Sequence, residues 1–234
     1  KKDGTVASPG DVYGQSQYAM ETIREILEEA GGAFGDLVYS KTFLTDMTQA
    51  SAHQRARMEA LGDVRPPLTL LGIPGVQFPE IMVEIETEAI IGSAQDRKII
   101  YTENQAEKAR GYARAVQVGD VIHVSGCTSI DAERNVRAVG DWAGQYDLAQ
   151  QSRVLALEKA GATLGDVVRR RTFTVNEAEQ NRPYGEGPPW FKDTRPVSLG
   201  CRISSLADPK MLVEVDAMAI VGAGEDIEWL SLAD

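Results

Sequence analysis

The chain has 234 residues, of which 43% are hydrophobic and 25% charged, as in an ordinary globular protein. Its net charge of −11 disfavours nucleic acid as the main partner, because phosphate binding needs a positive field. Its two cysteines are too few for a disulfide scaffold and favour a reducing, cytoplasmic location. No apolar run approaches the roughly 20 residues of a membrane span, and no signal peptide is visible. We therefore expect no membrane partner.

The first part of the chain predicts helices alternating with strands. A polar loop with a short strand near Thr5–Ala7 comes first. Asp11 stands where a helix N-cap belongs, and Gly31-Gly32 ends that helix, as glycine commonly does at this position. A second helix ends before the breaker Pro66-Pro67. The other elements of this part are a strand over 37–44, the second helix over 48–61, and strands over 68–73 and 81–91.

The rest of the chain begins with a linker over 92–105, in which residues 98–101 could pair as an edge strand. Two β-rich runs then flank Gly119-Asp120, which predicts a hairpin. In chain order, the predicted elements are hairpin strands over 112–117 and 121–125, a helix over 142–160, a strand over 167–175, a proline-rich region over 181–196, strands over 197–204 and 211–221, and an acidic tail over 225–234.

One stretch occurs twice. Gly10–Phe43 aligns without a gap with Gly140–Phe173 at an offset of 130, and fourteen positions are identical. The same offset relates Arg65-Pro66 to Arg195-Pro196 and Val83-Glu84 to Val213-Glu214. A register held over this length indicates a tandem duplication.

The duplication predicts two domains, over 1–96 and 97–224, followed by the tail over 225–234. Each is expected to be an α+β unit with two helices on one face of a mixed β-sheet. The first copy lacks the opening hairpin, since subtracting 130 from residues 98–139 gives −32 to 9. We expect that about 30 residues of the first copy are absent for this reason.

Three motifs resemble the YjgF/Rid family, also called endoribonuclease L-PSP. They are VGDVIHVSGCTSID (Val118–Asp131), the GQ…L…AG…GDVV pattern (Gly144–Val168) and the RP…VEVDAMAIV pattern (Arg195–Val221). The resemblance implies tandem chorismate-mutase-like units, assembly into trimers, and small-molecule clefts between adjacent units. It also implies hydrolysis of imines, enamines or aminomuconate-type intermediates, with release of ammonia and without a metal or organic cofactor.

The imine-deaminating branch of this family uses an arginine two residues after a proline to bind the substrate carboxylate. Leu68 and Ser198 occupy that position here, and neither can form a charge-assisted fork with a carboxylate. Arg65, Arg195 and Arg202 are the nearby substitutes. We expect these cations, together with Ser198, to contact an anionic substrate.

Glu84 and Glu214 match the family's acidic residue in the VEIE-type strand. The resemblance implies that this glutamate orients or activates water as a general acid–base. The alternative is a solvent-facing strand glutamate, because Glu86 and Asp216 share the same face.

Tyr112 and Ser125 match positions that line the family's cleft, where hydroxyls could bind a polar end of the substrate. The alternative is a tyrosine packed on the sheet and a serine in a tight turn. Cys201, beside Arg202, is a further substrate-binding candidate, although an inert buried thiol is the competing interpretation. His53 and His123 are too few and too separated in sequence to predict a metal cluster.

The segment over 182–196 could wall a cleft with Tyr184, Trp190 and Phe191, while Arg182 or Arg195 meets an anionic ligand. The alternative is a loop tucked over the sheet by its aromatic residues.

Two functional hypotheses follow. The first is a homo-oligomeric, trimeric deaminase in which Glu214 manages protons and the residues named above bind a small anionic substrate. The second is a noncatalytic ligand-binding or assembly protein, since the copies lack the signature arginine. A ribonuclease is disfavoured by the charge of −11.

Overall fold

The computed structural model describes residues 3–175, 190–191, 194–225 and 227–228. The helices are α1 (Val12–Glu29), α2 (Ala50–Leu61), α3 (Gln105–Arg110) and α4 (Trp142–Ala160). The strands are β1 (Leu37–Leu44), β2 (Leu68–Gly72), β3 (Val83–Ala89), β4 (Lys98–Ile100), β5 (Ala115–Val118), β6 (Val121–Cys127), β7 (Val167–Val175), β8 (Val197–Ile203) and β9 (Val213–Ile220). Here the first unit runs from α1 to β3 and the second from β4 to β9.

Each unit is built on its own mixed sheet. The strand order is β2-β1-β3 in the first unit and β4-β5-β6-β9-β7-β8 in the second. In the first sheet Ser40 pairs with Leu68 and Phe43 with Glu84. In the second, Arg170 pairs with Ser198 and Phe173 with Glu214, so the register repeats at an offset of 130. The α+β fold of two tandem units is therefore confirmed.

Residues that are identical in the two copies make equivalent hydrogen bonds in the two units. Asp11 and Asp141 each cap their helix by accepting a backbone N–H in its first turn. The Gln15 amide donates to the Glu80 carbonyl at 2.7 Å and accepts from Met82 N at 2.7 Å. Gln145 makes the equivalent bonds to Lys210 and Leu212, both at 2.8 Å. Each glutamine ties its helix to the start of the last strand of its unit.

The two units bury polar groups against each other. The Tyr39 hydroxyl donates to the Asp216 carboxylate at 2.6 Å, and Leu68 N donates to the Ser125 hydroxyl at 2.8 Å. Gly72 and Ser205 form an isolated antiparallel bridge. Strand β2 of the first unit therefore packs against the β5–β6 hairpin of the second, and a cleft opens between the units.

Most predicted elements match the structure to within a few residues. The strand near Thr5–Ala7 is wrong: residues 3–10 form bends and turns, and Thr5 N bonds to the Asp3 carboxylate at 2.9 Å. Helix α3 was not predicted, because its six residues are too few to show periodicity. Its N-cap is Asn104, whose side chain accepts from Ala106 N at 2.9 Å. Tyr184 and Arg182 lie outside the described residues.

None of the helices in these ranges is both long and apolar enough to cross a bilayer.

Candidate functional site

A cavity of about 300 Å³ lies between the two units. The first unit contributes α2 and the start of β2, including Leu68 and Leu70. The second unit contributes the end of α3, the Gly126 region of β6, and Glu214 on β9. Because both sides are needed, neither unit contains this cleft by itself.

Glu214 is the buried acid of the cleft, with 7% of its surface exposed. Burial raises its pKa to about 8, the negative charge of Asp216 adds to this, and Arg110 and Arg114 oppose it. The carboxyl group is therefore largely protonated at neutral pH, unlike an ordinary glutamate. A neutral carboxylic acid in a cleft can donate a proton to a bound substrate.

Gly126 allows the Glu214 carboxyl group to lie directly against β6. A Cβ atom on this glycine would overlap the Glu214 carboxyl oxygen and crowd its Cδ atom. The strand also shifts register between Val124 and Cys127. The glycine and the irregular strand together leave room for the acid at the sheet surface.

Arg114 organises the polar wall beside Glu214. It is buried, pairs with Glu107 at 2.9 Å and donates to the Gly126 carbonyl at 3.0 Å. It also donates to the Tyr112 hydroxyl at 3.1 Å. Since that hydroxyl oxygen accepts from Arg114, the Tyr112 proton remains for another partner. Burial raises the pKa of Tyr112, so the hydroxyl keeps this proton at neutral pH.

His53 lines the same cleft from α2. Its Nδ1 lies 3.0 Å from the Ser16 hydroxyl oxygen. That hydroxyl donates its own proton to the Val12 carbonyl at 2.7 Å. Nδ1 is therefore assigned the ring proton, which leaves Nε2 as an acceptor. Within the described ranges, buried Nε2 has no hydrogen-bond partner. Burial, helped by Arg57, lowers the His53 pKa to about 3, so the ring is neutral.

Three arginines supply positive charge to the cleft. Arg57 is fully buried and donates twice to the Gly111 carbonyl, at 3.0 and 3.2 Å, which joins α2 to the loop before β5. Burial lowers its pKa to about 10. The guanidinium groups of Arg110 and Arg134 make no hydrogen bond or ion pair to any residue that the structure describes. They are available to an anionic ligand.

Of the residues predicted from sequence, Tyr112 and Glu214 line this cleft. Leu68 also lines it, at the position where the resemblance places the arginine. The fully buried Ser125 hydroxyl instead donates to the Ala113 carbonyl at 2.6 Å and accepts from Leu68 N at 2.8 Å. Both of its bonds serve the junction between the units.

Glu84 and Arg65 lie away from the cleft. Glu84 is exposed on β3, opposite Phe43, and the described first unit has no hairpin beside that strand. Arg65 donates to the carbonyls of Gly62 and Val64, the latter at 3.0 Å. The proposed site therefore does not include either residue.

Ser198, Cys201 and Arg202 lie together in a second cavity, of about 290 Å³, over β7 and β8. Trp190 donates to the Asp147 carboxylate at 3.1 Å and packs against the core of the second unit. Arg195 is exposed just before β8, with a φ of 40°. Folding thus separates these candidates from Glu214.

No sequence pattern indicated His53, Arg110 or Arg134 as cleft residues. His53 belongs to the first unit, whereas the two arginines belong to the second. Only the packing of α2 against the loop after α3 brings them to one cavity.

Comparison with known proteins places the chain among related sequences. The family model described as endoribonuclease L-PSP matches residues 1–91 and again residues 102–221. A RutC family protein from Pyrococcus abyssi is 32% identical over 127 residues, which are 53% of this chain and 96% of that protein. A RutC family protein from Pyrococcus horikoshii is 28% identical over 127 residues, 53% of this chain and 97% of that protein.

Two solved structures are also similar to parts of this chain. A YjgF/YER057c/UK114 family member from Mycobacterium tuberculosis is 32% identical and covers 53% of this chain and 99% of its own, with a TM-score of 0.46. A chorismatase structure covers 91% of this chain and 72% of its own, with a TM-score of 0.69 and 13% identity, which is a likeness of fold. Because the family model matches both halves in turn, the chain belongs to the endoribonuclease L-PSP (YjgF/Rid) family, as a tandem two-unit member.

Proposed function

We propose that this protein hydrolyses a small imine, enamine or aminomuconate-type intermediate and releases ammonia. The observation that carries this proposal is the buried Glu214 carboxyl group in a cleft between the units, beside Tyr112 and Gly126, where burial raises its pKa to about 8. An acid that is neutral near pH 7 can both donate and recover a proton within one catalytic cycle.

For an imine, Glu214 first donates its proton to the substrate nitrogen. The resulting carboxylate accepts a proton from water as the water oxygen bonds to the imine carbon. The tetrahedral adduct carries an amine and a hydroxyl on the same carbon. Transfer of the Glu214 proton to this nitrogen and loss of the hydroxyl proton to Glu214 then expel ammonia and leave the carbonyl product. Glu214 ends protonated, so the cycle balances.

The rest of the cleft supports binding of a small, partly apolar anion. Arg110 and Arg134 offer guanidinium groups at the cavity wall, and Leu68, Leu70 and Met211 offer apolar surface. The Tyr112 hydroxyl accepts from Arg114, which leaves its own proton available for donation to the substrate's polar end. Arg114 is therefore a positioning residue.

The test measures ammonia release from a panel of enzymatically generated imines and enamines. Glu214→Gln keeps the shape of the side chain but cannot recover a proton, and we expect at least a 100-fold loss of kcat, as for a general acid–base. Glu84→Gln is the matched control, since Glu84 holds the same repeat position away from the cleft. Equal loss in both variants, or no loss in either, would contradict the proposal.

A noncatalytic ligand-binding role is the second candidate. It is favoured by Leu68, which makes the cleft more apolar where the signature arginine would lie. Binding of small carboxylates without ammonia release from any member of the panel would support this role instead.

Self-association into a trimer, or a multiple of it, remains a prediction. It is supported by β8, where Val197 and Leu199 are 75% and 50% exposed, while Thr69, the first-unit counterpart of Leu199, is fully buried against the second unit. The mass of the native protein would test it.

A further inference from the structure

The Glu214 cleft is locally positive in a chain whose net charge is −11. Among the described residues that line it, Arg57, Arg110 and Arg134 are cations and Glu214 is the one acid. Because burial raises the pKa of Glu214 to about 8, this acid carries little negative charge at pH 7. The described wall of the cleft therefore lacks the anions that would balance its arginines.

Arg57 is already bonded within the protein. It is fully buried and donates to the Gly111 carbonyl at 3.0 and 3.2 Å and to the Arg110 carbonyl at 3.4 Å. These bonds hold its guanidinium group where α2 of the first unit meets the end of α3. No carboxylate of the described residues pairs with it. Its charge therefore remains unbalanced at this end of the cleft.

The other two arginines enter the cleft from opposite ends of α3. Arg110 is the last residue of this helix. Arg134 belongs to the loop after β6, and this loop is tied to the beginning of α3, because Gln105 N donates to the Ala132 carbonyl at 3.0 Å. A helix of six residues is about 9 Å long. The two side chains therefore start from separate points along the cleft wall.

Both of these guanidinium groups are available to a ligand. Neither makes a hydrogen bond or an ion pair to any part of the chain that the structure describes. The charge of Arg110 opposes the rise in the pKa of both Glu214 and Tyr112, so Arg110 lies near both groups. Arg134 is exposed and lies where the cavity opens to solvent. One cation is thus beside the proposed acid, and the other is farther out.

The cavity wall also carries apolar surface from Leu68, Leu70 and Met211. A short carbon skeleton gains from contact with such a surface, whereas a compact inorganic anion does not. Each guanidinium group can form a charge-assisted pair with one carboxylate. Two separate cations on a partly apolar wall therefore fit a carbon chain with two carboxylates better than a ligand with one anionic group.

We propose that Arg110 and Arg134 are the specificity-determining residues of the Glu214 cleft and that they select small dicarboxylates. One carboxylate pairs with Arg110 beside Glu214, and the other pairs with Arg134. The inference rests on the proposed function in taking this cleft as the substrate site. It narrows the substrate to the imine or enamine of a dicarboxylic acid, because a monocarboxylate would leave one guanidinium group without a partner.

The test is calorimetric titration of the full chain at pH 7 and constant ionic strength with glutarate and adipate, and with pentanoate and hexanoate as their counterparts with one carboxylate. None of these acids contains an imine, so binding is measured without turnover. We expect each dicarboxylate to bind about tenfold or more tightly than the monocarboxylate of equal length, because it forms a second charge-assisted pair. Equal affinities, or no binding of any of the four acids, would overturn the proposal.

Two variants assign the two carboxylates. Arg134→Gln should lower the affinity for a dicarboxylate to that for the monocarboxylate and leave monocarboxylate binding unchanged. Arg110→Gln should weaken the binding of both classes, because it removes the pair beside Glu214. Lys108→Gln is the control, since it removes an exposed charge from α3 outside the cleft. A dicarboxylate preference that survives in Arg134→Gln, or an equal loss in Lys108→Gln, would overturn the proposal.

The outcome can be separated from that of the proposed function by measuring ammonia release on the same proteins. Dicarboxylate binding that depends on Arg110 and Arg134, without ammonia release from any imine, would support the selectivity and contradict the deaminase. Ammonia release with equal kcat/KM from imines of monocarboxylic and dicarboxylic acids would support the deaminase and overturn the selectivity.

Discussion

The protonation of Glu214 links the chemistry of the cleft to the stability of the fold. Its pKa rises from an ordinary 4.5 to about 8 on folding, chiefly because the carboxyl group is buried. The folded state therefore binds the proton more tightly, and the resulting stabilisation is complete below pH 4.5 and lost as the pH rises through 8.

We expect the free energy of unfolding of wild type to fall between pH 5 and pH 9 more steeply than that of Glu214→Gln, because the amide does not ionise. Urea denaturation at several pH values measures both slopes. Parallel profiles for the two proteins would show that the group does not titrate in this window.

At Gly126, the absence of a side chain decides where the acid can lie. In Gly126→Ala the added methyl group meets the Glu214 carboxyl group, so we expect the acid to be displaced and most activity to be lost. Gly75→Ala is the control, since a Cβ atom there meets open space. We would compare the two variants by their rates of ammonia release and by their melting temperatures. Full activity in Gly126→Ala would mean that Glu214 need not lie against β6.

Among the elements, the contact between β2 and the β5–β6 hairpin forms the cleft. A single hydroxyl, that of Ser125, bridges the Ala113 carbonyl in the second unit and Leu68 N in the first. The hydroxyl therefore holds the Leu68 side of the cleft against the side that carries Tyr112.

Ser125→Ala removes both bonds and leaves a buried donor and acceptor unpaired. We expect a loss of about 1–3 kcal/mol in the free energy of unfolding, measured by urea denaturation. Ser204→Ala, at an exposed position after β8, should change stability little. An unchanged stability in Ser125→Ala would indicate that water replaces the hydroxyl.

At the scale of the whole molecule, a buried polar network joins the units. The Asp216 carboxylate accepts from Tyr39 and Thr69 of the first unit, at 2.6 and 3.2 Å, and from Arg171 of the second at 2.7 Å. Arg171 also lies over the Tyr39 ring, 5.0 Å from its centre. The charge of Asp216 is in turn the second cause of the raised pKa of Glu214.

Asp216→Asn should therefore have two effects. It leaves the buried guanidinium of Arg171 with only the more distant and half-exposed carboxylate of Glu86, at 3.6 Å, so we expect a loss of up to about 3–5 kcal/mol of stability. It also removes a negative neighbour from Glu214, so the alkaline limb of the pH–rate profile should move to lower pH. Tyr39→Phe, which removes one hydroxyl and no charge, is the control. A profile that does not move would mean that Asp216 does not influence Glu214.

How well a structural feature can be predicted depends on how far apart in the sequence the residues that determine it lie. Helix α4, strand β7 and the repeated register follow from patterns within one copy, because capping aspartates, glycine stops and alternation act locally. Helix α3 and the loop near Thr5 were mispredicted: six residues are too short for a periodic signal, and a strand needs a partner that the sequence there does not specify.

The sequence by itself determined the duplication, the α+β class and the family resemblance, because these depend on motifs and spacing within each unit. It also indicated Glu214 and Tyr112. Only the tertiary structure decided that His53 and Leu68 of the first unit meet Arg110 and Glu214 of the second, and that Ser198, Cys201 and Arg202 lie in another cavity. The physical reason is that a cleft between two units is set by their packing, whereas the sequence pattern of each unit records only its own buried face.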